Sequence, residues 1–135
     1  MTDKFYLDTS VWLDFYLKRG KNGEIAKKLI SKIIEKNKII IYSDNILMEF
    51  KRLGLHESEI NEILRILKPK NIQRVHITKE QVIEMNKLAR QRELPKNDAL
   101  HSILARDHES QLVSRDKHFE KLKDITIPKR PEELI

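Results

Sequence analysis

Cysteine is absent from this 135-residue chain, and only three residues are glycine. Without cysteine the chain has no disulfide, no thiolate nucleophile and no sulfur-based zinc site. No apolar run approaches the roughly 18 residues that a membrane span requires. Residues 1–4 lack a basic flank followed by an apolar core, so we expect no export signal. These absences predict a cytoplasmic protein that does not associate with membranes.

The length predicts a single domain over residues 1–135, large enough to bury about two-thirds of the surface of the unfolded chain. The sequence has no internal repeat and no low-complexity tract. We find no composition shift that would mark a domain boundary.

The charge balance is basic, with 27 Lys and Arg against 21 Asp and Glu and a net charge of +6. If four of the acids gather at one site, 27 basic side chains remain against 17 acidic ones, a net charge of +10. An acidic site within a basic surface suits a nuclease, because contacts to phosphates supply most non-specific affinity. The same composition is also typical of a solvated thermophile surface, so charge alone leaves both interpretations open.

Short apolar runs alternate with amphipathic stretches, a pattern that predicts repeated β-α units. The apolar runs predict strands at 5–7, 39–42, 72–77, 112–113 and 125–127, and helical spacing falls within 25–34, 46–50, 60–67, 82–89 and 100–104. We therefore predict a three-layer α/β/α fold with a mainly parallel, roughly five-stranded sheet. In such a sheet, functional residues gather beyond the carboxyl ends of the strands.

Four acidic residues stand in settings that bring them to this edge. Asp8 and Asp116 follow predicted strands, Glu49 lies about two turns into the helix after the second strand, and Asp98 lies in the first turn of another helix. Right-handed crossovers would place these elements at one edge of the sheet. Four converging carboxylates repel one another unless a hard cation holds them. The arrangement favours metal-dependent phosphodiester cleavage.

Each acid also has a purely structural interpretation. Asp8 is a favourable helix cap, and Asp98 interacts well with the dipole at the start of a helix. Glu49 has apolar neighbours, so it is either exposed on the far side of its helix or buried with a partner. Asp116 stands between two basic residues and could form a surface ion pair worth less than about 1 kcal/mol.

The five histidines do not form a ligand set. His101 and His108 are seven residues apart on one helix, about 10 Å along its axis, which is too far for one metal ion. We predict that both are surface or boundary residues. Trp12, Phe15 and Tyr16 have helical spacing that favours the core or an interface over a base-stacking platform.

Around the four acids the chain resembles the PIN-domain family, best known from the toxin nucleases of bacterial and archaeal toxin–antitoxin pairs. The matching segments occur in family order over nearly the whole chain: YLDTSVW at 6–12, SDNILMEF at 43–50, KNDALH at 96–101 and LVSRDKHF at 112–119. The last segment departs from the pattern, because some members carry a further acid where this chain has His118.

The resemblance implies a PIN-like fold and a ribonuclease that depends on Mg²⁺ or Mn²⁺. The metal-binding and catalytic residues that it implies are Asp8, Glu49, Asp98 and Asp116. Ser114 and either Thr9 or Ser10 match the hydroxyl residues that support the acids. Arg115, Lys117 and Lys121 stand beside the predicted site as phosphate contacts, although a solvated face explains these three basic residues equally well.

The resemblance also implies partners: RNA, a cognate antitoxin if the chain is a toxin, and a second copy in a homodimer. The apolar helical face at Ile60, Ile63 and Leu67 is a predicted surface for the dimer or the antitoxin. Two alternatives stay open, a stand-alone RNA-processing nuclease and a catalytically silent binding module of the same fold. A phosphotransfer receiver domain is disfavoured, because Asp3 and Asp8 are not adjacent and no lysine ends the late strand.

Overall fold

The computed structural model describes residues 3–67 and 69–135. Its four strands are β1 (Lys4–Leu7), β2 (Ile39–Ser43), β3 (Ile72–Val75) and β4 (Gln111–Val113). Its helices are α1 (Thr9–Tyr16), α2 (Gly20–Glu35), α3 (Asp44–Arg52), α4 (Glu57–Arg65), α5 (Lys79–Arg92) and α6 (Lys96–Asp107), followed by 3₁₀ turns at Lys117–Leu122 and Pro131–Glu133. Met1, Thr2 and Lys68 lie outside the described residues, and so does part of the segment on which we expect no export signal.

All strand pairs in the sheet are parallel, and the strand order is β3-β2-β1-β4. Helices flank the sheet, which confirms the predicted α/β class. None of the helices within the described residues is long and apolar enough to cross a membrane.

The sheet has four strands where the sequence predicted about five. The backbone N–H groups of Ile125 and Thr126 donate to the carbonyl of Leu122 and close a turn, so they are not available for strand pairing. Pro128 has no N–H group to donate. Pairing is therefore reduced to an isolated bridge between Val113 and Lys129.

Most of the apolar positions in the predicted strands and helices are buried in the core. Trp12 is fully buried, as its helical spacing predicted for a core residue. Ile60, Ile63 and Leu67 are each no more than 4% exposed. These three side chains belong to the core cluster, so they do not by themselves form the exposed apolar surface that the sequence predicted for a partner.

The strand order creates a switch point at the carboxyl ends of β1 and β4. The chain moves from β1 to β2 and β3 on one side, and then returns to pair β4 with the other side of β1. We refer to the region beyond the carboxyl ends of β1 and β4 as the crevice, because neighbouring crossovers run in opposite directions there and ligands bind at such points in open α/β sheets. Asp8 begins the crevice, and its backbone N–H donates to the carbonyl of Val113 at 3.0 Å.

Gly23 allows α1 and α2 to pack closely. A Cβ atom at this position would lie 2.7 Å from the carbonyl oxygen of Asp14 and 2.9 Å from the carbonyl carbon of Lys18. We expect Gly23→Ala to lower the free energy of unfolding by about 1–3 kcal/mol, as overpacking commonly does. Denaturant titration checks this, with the exposed Lys28→Ala on the same helix as the control. Equal stability of the two variants would contradict the close contact.

Candidate active site

Asp8 is the most deeply placed of the four predicted acids, with 8% of its surface exposed. It caps α1: its Oδ1 accepts a hydrogen bond from the backbone N–H of Thr9 at 2.8 Å. Its Oδ2 accepts from the hydroxyl groups of Ser114 at 2.9 Å and Ser10 at 3.3 Å. Burial raises the pKa of Asp8, and the negative charge of Glu49 adds to that rise. The capping role is therefore real, but it holds a carboxylate in an environment that opposes its charge.

Ser114 connects the first and the last acid. Its hydroxyl donates to Asp8, and the same oxygen accepts the backbone N–H of Asp116 at 3.0 Å. Asp116 in turn caps the 3₁₀ turn that follows, where its Oδ1 accepts the backbone N–H of His118 at 2.9 Å. One hydroxyl thus fixes the ends of β1 and β4 relative to each other.

Asp98, Asp116 and His118 form the tightest group of candidate ligands within the described residues. Their ligand atoms all lie within 4.8 Å of one another. The Nδ1 atom of His118 is 2.9 Å from Asp98 Oδ2 and 3.3 Å from Asp116 Oδ1. Burial raises the pKa of Asp98 to about 6, and the charges of Asp116 and Asp8 add to this effect. Asp8 and Glu49 are not members of this tightest group.

Glu49 has a buried partner, which decides between the two interpretations that its sequence context allowed. Its Oε1 lies 2.5 Å from the Nε2 atom of His101, while 21% of the Glu49 side chain is exposed. His101 is fully buried, so the prediction that it is a surface or boundary residue is wrong. Its other ring nitrogen, Nδ1, lies 2.7 Å from the hydroxyl of Tyr6.

The predicted phosphate contacts differ in their surroundings. Arg115 forms an ion pair with Glu132 at 2.5 Å, so its charge is partly neutralised by the C-terminal 3₁₀ turn. The ion pair between Asp116 and its neighbour Arg115 that the sequence allowed is therefore not the one that forms. Lys117 and Lys121 are exposed on the 3₁₀ turn beside the acids.

Two histidines near the acids were not predicted as site residues. His118 was noted only as the place of a missing acid, but an imidazole nitrogen can bind a cation as a carboxylate can. His101 lies three residues after Asp98, hence on the same side of α6, and beside the apolar positions Leu100 and Leu104. This spacing was the available signal that His101 lies inward.

The fold and these side chains together define an α/β protein with an acidic centre at the switch point of a parallel sheet. The chain matches the family model of the PIN domain over residues 5–125. It therefore belongs to the PIN-domain family, whose members are generally nucleases, and the resemblance seen in the sequence is confirmed.

Two solved structures share the fold. One is the crystal structure of VapBC2 from Rickettsia felis bound to a DNA fragment from its promoter, with a TM-score of 0.69, 18% identity, and coverage of 94% of this chain and 98% of that chain. The other is a toxin–antitoxin complex from Klebsiella pneumoniae, with a TM-score of 0.61, 19% identity, and coverage of 94% and 97%. A comparison with curated proteins found no match.

The burial of Asp98, together with the charges of Asp116 and Asp8, predicts a pH-dependent gain in stability for Asp98→Asn without metal. The pKa of Asp98 in the folded protein, about 6, lies above the ordinary value of 3.8. The folded protein therefore holds the Asp98 proton more tightly than the unfolded chain does. The stability that this gives is fully present below about pH 3.8 and is lost as the pH rises through about 6. At pH 7.5 we expect Asp98→Asn to raise the free energy of unfolding by about 1 kcal/mol after solvent screening, and the gain to disappear near pH 4.

Denaturant titration in EDTA at both pH values measures this difference. Asp107→Asn is the matched control on the same helix. Burial raises the pKa of Asp107, but hydrogen bonds from Gln81 and Arg106 outweigh that effect and lower it. Asp107→Asn should therefore lose stability at pH 7.5. A loss of stability in Asp98→Asn at pH 7.5 would show that Asp98 is held by favourable contacts rather than crowded by repulsion.

Proposed function

We propose that this PIN domain is a metal-dependent endoribonuclease, and that it is the toxin of a toxin–antitoxin pair. The observation that carries the nuclease proposal is the grouping of acidic side chains at one edge of the sheet, where the ligand atoms of Asp98, Asp116 and His118 lie within 4.8 Å of one another. Burial raises the pKa of both Asp98 and Asp8. The charges of Asp116 and Asp8 add to the rise at Asp98, and the charge of Glu49 adds to the rise at Asp8. A bound cation would compensate this negative charge.

The donor set fits Mg²⁺ or Mn²⁺. Mg²⁺ prefers oxygen ligands and retains several waters, which suits a few carboxylates in an open site. The site is open on the side of Asp116 and His118, whose side chains are 39% and 51% exposed. Asp8, Glu49, Asp98 and Asp116 would hold the ion, with Asp8 and Asp98 in direct contact. When bound, the ion would supply charge stabilisation for the phosphoryl oxygens and lower the pKa of a bound water.

Other residues of the chain would position the Asp8 carboxylate and the attacking water. The hydroxyls of Ser114 and Ser10 and the backbone N–H of Thr9 hold the Asp8 carboxylate in one orientation, whereas the Thr9 hydroxyl has no partner among the described residues. Glu49 would orient the attacking water or accept its proton. Hydrolysis by water does not use the ribose 2′-hydroxyl, so the products should carry 5′-phosphate and 3′-hydroxyl ends.

RNA as the substrate rests on membership of the family and on the basic surface. Lys117 and Lys121 are exposed next to the acids, where they would contact the phosphates of a single strand. Arg115 would contribute less than these lysines, because Glu132 already pairs with it.

The two similar structures support the toxin assignment, since one is VapBC2 with promoter DNA and the other is a toxin–antitoxin complex. An antitoxin would find an open groove of about 790 Å³ between α1, α2 and α4, lined in part by Phe15, Tyr16 and Ile66. A short reading frame directly upstream of the gene would favour the toxin over a stand-alone processing enzyme. The homodimer expected from the sequence stays a prediction.

We expect the purified protein to cleave single-stranded RNA with Mn²⁺ or Mg²⁺ and to lose this activity in EDTA. Asp8→Asn, Asp98→Asn and Asp116→Asn should each reduce cleavage by at least about 100-fold, because each removes a charge that the cation requires. Gel analysis of a labelled, randomised RNA pool gives the rate, and end-labelling gives the chemistry of the new termini.

Asp107→Asn serves as the control, because Asp107 lies on the same helix as Asp98 but about 13 Å further along its axis. Full activity in any of the three site variants would remove that residue from the centre. RNA binding without any cleavage, at either metal, would favour the silent binding module.

A second prediction concerns the two lysines. The Lys117→Ala/Lys121→Ala double variant should weaken RNA binding and reduce the salt dependence of log K by about 1.4, the value for two phosphate contacts on a single strand. Fluorescence anisotropy in the Asp98→Asn background, which prevents cleavage, measures this at several salt concentrations. An unchanged salt slope would mean that the RNA follows another path, and Lys28→Ala provides the exposed control.

A further inference from the structure

A chain of four side chains runs from the start of α3 through the core to the acidic crevice. The hydroxyl groups of Ser43 and Tyr6 lie 2.7 Å apart. The Tyr6 hydroxyl lies 2.7 Å from His101 Nδ1, and His101 Nε2 lies 2.5 Å from Glu49 Oε1. Ser43, Tyr6 and His101 are fully buried, whereas Glu49 reaches the surface of the crevice.

The available N–H and O–H protons decide which side chain donates in each of these hydrogen bonds. Glu49 accepts hydrogen bonds only, so His101 donates from Nε2, and a neutral ring then has an acceptor at Nδ1. The Tyr6 hydroxyl fills that acceptor with its single proton. Ser43 donates to Tyr6, and the oxygen of Ser43 accepts the backbone N–H of Ile46.

The opposite direction leaves a buried group without a partner. If Tyr6 donated to Ser43, the Ser43 hydroxyl would need another acceptor, and it contacts none among the described residues. A neutral His101 would then also present an unprotonated Nε2 to a carboxylate oxygen. An unpaired buried polar group costs about 1–3 kcal/mol, so the order Ser43 to Tyr6 to His101 to Glu49 is preferred.

We propose that His101 is the positioning residue for the Glu49 carboxylate, and that Ser43 and Tyr6 select the ring tautomer that does so. Glu49 lies at the boundary of α3, between Met48, which is 48% exposed, and the fully buried Phe50. Its side chain has three rotatable bonds, and His101 restricts them by holding one oxygen. The other oxygen is left for the water or cation of the proposed nuclease. In this respect the inference rests on the proposed function.

The first test reads the tautomer directly and does not depend on activity. Nitrogen-15 NMR of metal-free protein labelled at histidine should show a protonated Nε2 and an unprotonated Nδ1 for His101, assigned by comparison with His101→Gln. Tyr6→Phe removes only the hydroxyl and should shift the Nδ1 resonance by loss of its hydrogen bond. A proton on Nδ1, or a spectrum unchanged in Tyr6→Phe, would overturn the proposed order of donors.

The second test asks whether His101 acts through Glu49. Single-turnover cleavage of the randomised RNA pool with excess protein and Mn²⁺ should slow by about 10- to 100-fold in His101→Leu, a common loss for residues that orient metal-site ligands. Tyr6→Phe should lose less, and His101→Gln, which keeps an N–H donor, should recover part of the rate. In the Glu49→Gln background, His101→Leu should cause no further loss, because the two residues act as a unit.

Ser102→Ala is the matched control, since Ser102 is the next residue of α6, is equally buried, and has a hydroxyl without a hydrogen-bond partner in the structure. If His101→Leu slows cleavage by the same factor with and without Glu49→Gln, the two residues act independently and His101 has only a structural role. If wild-type protein cleaves no RNA but shows the predicted ring protonation, the positioning of Glu49 stands and the proposed reaction is wrong. If it cleaves RNA but shows the opposite tautomer, only the positioning proposal fails.

Discussion

The carboxylate of Asp8 is buried at the end of the inner strand β1, and the groups around it determine the charge of the crevice. A buried carboxylate is costly unless hydrogen bonds or opposite charges compensate it. Here a backbone N–H and two serine hydroxyls provide the hydrogen bonds, yet its pKa is still raised. The remaining acids increase the negative charge rather than relieve it. This negative charge is the basis of the proposal that the centre binds a divalent cation.

The topology explains why the acids meet. Because β4 returns to pair with β1, the first and last motifs of the sequence become neighbours, and Ser114 joins them with one hydroxyl. The acids of α3 and α6 approach from the flanking helices, Asp98 through His118 and Glu49 through His101. Each acid therefore has a local structural role or partner as well as a place at the crevice. The structural and catalytic interpretations of these residues are compatible.

Sequence patterns were enough to predict the α/β class, the four strands and the neighbourhood of the acids, because these follow from apolar periodicity and from the geometry of parallel sheets. They failed where backbone hydrogen bonding decided the outcome, as at 125–127, where a turn takes the N–H groups that a fifth strand would need. They also failed for His101: its spacing indicated an inward position, but its partners Tyr6 and Glu49 come from distant parts of the sequence and are known only from the structure.

The central claim is that the crowded acids form a binding site for a divalent cation. Crystals of the protein grown or soaked with Mn²⁺ test it most directly, by the anomalous signal of the metal. The account predicts a peak in the crevice between Asp8, Asp98 and Asp116, absent from Asp98→Asn crystals treated identically. No peak at this position at a saturating Mn²⁺ concentration, in crystals where the carboxylates keep the same arrangement, would contradict it.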